Sequence, residues 1–144
     1  MDYLLPKLHS AAGGTIIYFK GEKLMIRAIR GAVTVERNER SAVFESVRTL
    51  MEEIIRKNSL DIESMTDIIF TLTPDITCAF PAAAVREMGI TDVPLLDMAA
   101  PDIDGALKLC IRVIVHIETE LKNSELRHVY LGGAAALRPD LAAK

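Results

Sequence analysis

The chain has 144 residues, half of them hydrophobic, with 17 Lys and Arg against 20 Asp and Glu and a formal charge of −3. That length suits one domain burying about two-thirds of its unfolded surface. The acidic balance, the scarcity of aromatics and the absence of Trp argue against a nucleic-acid binder, which needs a basic face or stacking platforms.

Residues 1–24 contain no apolar run of membrane length; Ser10-Ala11-Ala12-Gly13-Gly14 interrupts them, so no membrane association is expected. Gly13-Gly14 and Lys20-Gly21 are turn signals around a short strand at 15–19. Dense patterning begins at Met25, so 1–24 read as an extension and 25–144 as the domain. Residues 25–36 read as a strand. Ser41 is expected to cap a helix reaching about residue 58, with Val43, Val47, Leu50, Met51, Ile54 and Ile55 at helical spacing. A short strand at 67–72 ends at Thr73-Pro74-Asp75. Pro81 suits the first turn of a short helix over 81–88, terminated by Gly89. Another strand is expected at 93–96, followed by a loop rich in Asp, Ala and Pro. Residues 107–117, "LKLCIRVIVHI", read as a strand buried on both faces. A polar connection at 118–125 leads to a last strand at 128–131, and "GGAAALRPDL" closes the chain. These elements predict an α/β fold (α+β), a mixed sheet with one long and one short helix.

Cys78 and Cys110 lie in apolar contexts without metal or redox spacing, which predicts buried free thiols in a reducing cytoplasm. His9, His116 and His128 do not cluster, so neither metal nor cofactor is expected. No nucleophile elbow, Walker loop, dinucleotide fingerprint or zinc-protease motif occurs. The arginines stand out instead. Arg112 sits in the middle of the apolar strand, and its guanidinium cannot shed its charge, so it must meet an anion. Arg30 alternates with Ile26, Ala28 and Ala32, Arg86 lies on the short helix, and Arg138 precedes Pro139. Each either grips an anionic ligand or pairs with a carboxylate such as Glu36 or Asp140. Gly132-Gly133 is a turn or a close backbone approach to a ligand.

Five segments in order resemble the small trimeric α/β chorismate mutases, the AroH class: "IRGAVTVE" at 29–36, "FPAAAVRE" at 80–87, "CIRV" at 110–113, "RHVYL" at 127–131 and "LRPDL" at 137–141. The resemblance implies a homotrimer shaped as a pseudo-α/β barrel, with active sites in clefts between subunits. It implies a cytoplasmic enzyme of phenylalanine and tyrosine synthesis that rearranges the dianion chorismate to prephenate in one pericyclic step. Such a step uses no nucleophile, proton transfer, metal or cofactor. By motif, Arg112 would face the breaking ether oxygen, and Arg30 and Tyr130 would hold a carboxylate. Phe80, Ala82 and Arg86 would come from a neighbouring subunit, Leu137 and Arg138 would belong to a closing tail, and Arg127 would be framework.

Three positions depart from the family pattern. After "VPLL" the family has a Cys or Ser and, three residues later, a Glu; here these are Asp97 and Ala100. A Lys after "FPA" is Ala83. Either Asp97 returns a carboxylate to the site as a catalytic group, or the chain is a weakened homologue acting as a ligand-binding or protein-interaction module.

Overall fold

In the computed structural model, which describes residues 8–11, 14–17 and 24–142, the chain begins with an antiparallel pair, β1 (Leu8–Ala11) and β2 (Gly14–Ile17). The strand expected at 15–19 thus begins at Gly14; positions 18 and 19 lie outside the described residues. Next come β3 (Met25–Thr34), α1 (Arg40–Asn58), β4 (Met65–Leu72), α2 (Pro81–Glu87), β5 (Leu95–Ala99), β6 (Cys110–Thr119), β7 (Val129–Leu131) and α3 (Pro139–Ala142). A 3-10 segment, Gly132–Leu137, joins β7 to α3. The five longer-range strands form one mixed sheet in the order β5-β4-β6-β3-β7. β6 runs antiparallel to both β3 and β4, whereas β5 and β7 are parallel to their neighbours.

The α1 helix follows its apolar stripe: Val43, Phe44, Val47, Leu50, Met51 and Ile54 are buried. They pack on the sheet face that carries Ile29, Val33, Ile68, Phe70, Val113 and Val115. Gly31 makes this contact possible, because a Cβ there would stand 2.9 Å from Ile54 Cδ1 and 3.1 Å from Leu50 Cδ1. The expected Ser41 cap is corrected. Glu39 occupies the N-cap without a side-chain bond, and the exposed terminus is held instead by Arg40, which pairs with Glu87 (3.2 Å) and lies 4.0 Å over the Phe44 ring. Arg56 and Lys57 in the last turn suit the helix dipole. Asn58 then ties that end to the loop before β7, donating to Arg127 O (2.8 Å) and accepting from Arg127 N–H (2.7 Å).

Helices α1 and α2 cover one face; among the described residues the other is covered only at its β3–β7 corner, where the 3-10 segment and α3 pack beside Ala32 and Tyr130. The reading of residues 107–117 as a strand buried on both faces is therefore corrected. β6 starts at Cys110, and its burial alternates: Ile111, Val113, Val115 and Ile117 face the core, while Arg112, Ile114 and His116 are half-buried on the open face. The last strand likewise starts one residue late, at Val129. β5 spans Leu95–Ala99, later than the expected 93–96, so Asp97 lies in a strand rather than a loop. Cys110 is buried, but Cys78 is exposed, contrary to expectation, at a bend in the loop before α2. Gly132-Gly133 approaches its own chain: Gly133 N–H donates to Thr34 Oγ1 (2.8 Å), and a Cβ on Gly132, which has φ +58°, would meet that oxygen at 2.9 Å.

Candidate active site

Period-2 alternation on β3 and β6 sets the open face. Arg112 registers with Ala32 on β3 and with Thr71 on β4, and Arg30 registers with Ile114. Both guanidinium groups consequently lie on the same side of the sheet. Arg30, Ile69, Thr71, Pro101, Arg112 and Ile114 line a depression of 270 Å³. Neither arginine forms an ion pair among the described residues; burial pushes the Cys110 thiol pKa up, against the opposing pull of Arg112 two residues on. Two unneutralised cations over an apolar floor can receive an anion. Thr71 and Ile69 escaped the sequence reading, although their register with Arg112 and Ile114 is the signal that finds them.

Tyr130 is one strand further along, beside Ala32. It is buried in a small cluster with Ala32 and Ala134, against which Leu137 and Leu141 pack. The tail residues thus sit next to Tyr130, on the arginine side. Arg138 has taken the carboxylate alternative, pairing with Asp140 through Nε (3.0 Å) and Nη2 (2.8 Å), which raises its pKa further. His128 links the same corner, since its Nδ1 accepts the Arg30 backbone N–H at 2.9 Å. Burial, helped by Arg138 and Arg30, holds its pKa below 6.5.

Phe80, Ala82, Arg86 and Asp97 form a second surface. Phe80 is the N-cap of α2 and is 68% exposed, Ala82 is buried in the first turn, and Arg86 is exposed in the last. Asp97 registers with core-facing Phe70, so it points to the helix side of the sheet. There its carboxylate accepts Ala82 N–H at 3.0 Å. Burial pushes its pKa up, against the opposing pull of that N–H and of Arg86. Within one protomer, Asp97 and Arg112 occupy opposite faces. Ala100, by contrast, continues along β4 through its N–H to Leu72 O (2.9 Å), beside Pro101 at the rim of the arginine depression.

The open face itself is apolar. Ile26, Leu96 and Met98 are each about half exposed, at 53%, 53% and 50%. Besides Arg30, Arg112 and Glu118, a pair of titratable groups interrupts it, His116 Nδ1 and Asp67 Oδ1 at 2.6 Å. No helix among the described residues is long and apolar enough to cross a membrane.

Comparison with known proteins shows the family and the fold. Residues 26–141 match the family model of chorismate mutase type I. Chorismate mutase AroH of Bacillus subtilis is 42% identical over 120 residues, covering 83% of this chain and 94% of the relative. Chorismate mutase AroH of Thermus thermophilus is 41% identical over 118 residues, covering 81% of this chain and 97% of the relative. The solved chorismate mutase from Clostridium thermocellum superposes with a TM-score of 0.75 at 41% identity, over 76% of this chain and 98% of that one.

Proposed function

The chain belongs to the chorismate mutase type I family, and we propose that its active site closes where the arginine face of one copy meets the α2 surface of the next. The reaction is the rearrangement of chorismate to prephenate, which serves phenylalanine and tyrosine synthesis. Its ether C–O bond breaks as a C–C bond forms, so the enzyme supplies a compact conformer and donors preplaced at developing charge. A gain of ~10⁶-fold, about 8 kcal/mol, lies at the low end of enzymatic acceleration.

In this reading Arg112 donates to the ether oxygen, where negative charge grows, and its fixed planar fork suits that task. Arg30 and Tyr130 hold a carboxylate, and the tail with Leu137 and Arg138 closes over it. Phe80, Ala82 and Arg86 of a neighbouring copy form the other wall. Asp97 belongs to that wall, where it faces the ring hydroxyl across the cleft and takes over the duty of the missing Glu. The observation that carries the reading is the pair Arg30 and Arg112, unneutralised over one depression. The apolar open face supports a closed homotrimer, since a sheet must bury such a face and identical chains do so symmetrically. The free thiols support a cytoplasmic location.

One observation favours the rival, a ligand-binding module of low activity: among the described residues, no carboxylate lines the arginine depression. Chorismate loss measured against the spontaneous rate separates the two. Saturable turnover supports the mutase; saturable binding with loss at the spontaneous rate overturns it.

A further inference from the structure

The turn that starts β6 is held by a side-chain network outside the site. Leu109 adopts φ +47°, the left-handed region that L side chains avoid. Its N–H donates to Asp75 Oδ2 at 2.8 Å, and its carbonyl accepts Val35 N–H at 2.7 Å. The other oxygen of Asp75 accepts the Thr73 hydroxyl at 2.5 Å. Thr73 Oγ1 in turn accepts Cys110 N–H at 3.0 Å, while Thr73 N–H donates to Cys110 O at 3.1 Å. Thr73 is a rare buried polar side chain here, 7% exposed. Cys110, 1% exposed, opens β6 and stands two residues before Arg112 on the same strand. Hydrogen bonds therefore run from Asp75 through Thr73 to the backbone of Cys110, two residues before Arg112 on β6.

We infer that Asp75 and Thr73 are positioning residues for the reaction: together they impose the left-handed turn at Leu109 and so aim Arg112 from the first residues of β6. The carboxylate is suited to this because both of its oxygens accept, one from each side of the turn. Burial alone pushes the Asp75 pKa up, but the Thr73 hydroxyl and the Leu109 N–H, with its own backbone N–H and Lys108, outweigh it and hold the group ionised. Without the carboxylate, Leu109 relaxes to negative φ and the strand start rotates. A displacement of about 1 Å at a catalytic group is enough to cost on the order of 10²-fold in rate. Two features distinguish this device from general stabilisation. It acts on the transition-state contact rather than on carboxylate binding by Arg30, and it travels through the backbone of Cys110.

This inference rests on Arg112 acting in the mutase reaction, so the test has a kinetic and a structural arm. Thr73→Val keeps the shape of the side chain and removes both hydroxyl bonds; Asp75→Ala removes the clamp altogether. For each, kcat and KM for chorismate are measured at a temperature where circular dichroism shows the parent fold, together with a crystal structure. The expected result is a kcat at least about tenfold lower, KM within about threefold of the parent, and an Arg112 guanidinium displaced or split between positions. If Asp75→Ala does not fold, Thr73→Val carries both arms. A kcat within twofold of the parent, or a rise in KM alone, overturns the inference. If the parent shows no turnover, the mutase reading fails instead; Arg112 unmoved in the variant structure then overturns the positioning role by itself.

Discussion

At the residue scale the account rests on charge without a partner. Arg112→Ala is expected to lower turnover by about 10³-fold or more, the range of losing a preorganised donor at developing charge. Arg112→Lys should be nearly as poor, because lysine keeps the charge and loses the planar fork. Arg112→Lys with parental activity would contradict the ether-oxygen role. Arg30→Ala should chiefly weaken ligand binding, read as a raised KM. Asp97 yields a two-part prediction. Asp97→Ala should lower turnover by ~10²-fold, and Ala100→Glu in that background should restore part of it, since position 100 stands beside the arginine depression. Stability should move the other way in Asp97→Asn. Burial raises the Asp97 pKa, so the ionised form opposes folding above the ordinary carboxylate range and this penalty fades as pH falls. The neutral amide removes the penalty while keeping an acceptor for Ala82 N–H. Asp97→Asn should therefore melt no lower than the parent at neutral pH, a point that calorimetry checks. The sequence made Arg112 legible because a permanent charge inside an apolar run demands an explanation. It misassigned the surroundings of Asp97, whose environment is set by a strand pairing with Phe70 and a helix start 15 residues earlier.

At the element scale, helix α1 and its stripe were readable, because 19 residues of 3.6-residue periodicity leave little ambiguity. Strand limits were not. Pairing of Phe70 with Asp97 carries β5 through a residue of poor strand propensity, and the start of β6 is fixed by Asp75, 34 residues away from Leu109. The link between β3 and β7 gives a pH prediction. His128 accepts the Arg30 N–H on Nδ1, which only the unprotonated nitrogen can do. Its folded pKa is depressed below 6.5, by burial first and then by Arg138 and Arg30. The unfolded state therefore binds the proton more readily. The contribution is complete above the ordinary pKa of 6.5 and is lost as pH falls through the lower folded value. Melting temperature should drop between about pH 7.5 and about pH 5.5, and the drop should shrink in His128→Asn, whose Oδ1 accepts the same bond without titrating there. An equal drop in both proteins would remove His128 from the explanation. Deleting residues 1–24 should leave the fold and oligomeric state unchanged, because the family match begins at residue 26; dissociation of the shortened chain in sedimentation would show the extension to be structural.

At the scale of the whole molecule, one protomer presents two incomplete surfaces that face apart. Arg30, Arg112 and Tyr130 stand on the open side of the sheet, and Phe80, Arg86 and Asp97 on the helix side. The sequence read the strand around Arg112 as doubly buried for a physical reason: its open face is nearly as apolar as its core face, as the proposed homotrimer requires, and hydrophobic patterning does not distinguish the two. Sedimentation should find a homotrimer, and a stable monomer would contradict the shared site. The most direct measurement is complementation between two inactive variants, Arg112→Ala and Arg86→Ala, refolded together at equal amounts. If each cleft takes its arginine face from one copy and its α2 wall from the next, random assembly leaves roughly a quarter of the clefts intact, so chorismate turnover should return to about that fraction of the parental rate. A mixture of folded trimers as inactive as either variant alone would show that both halves of the site come from the same chain, and the account would fail.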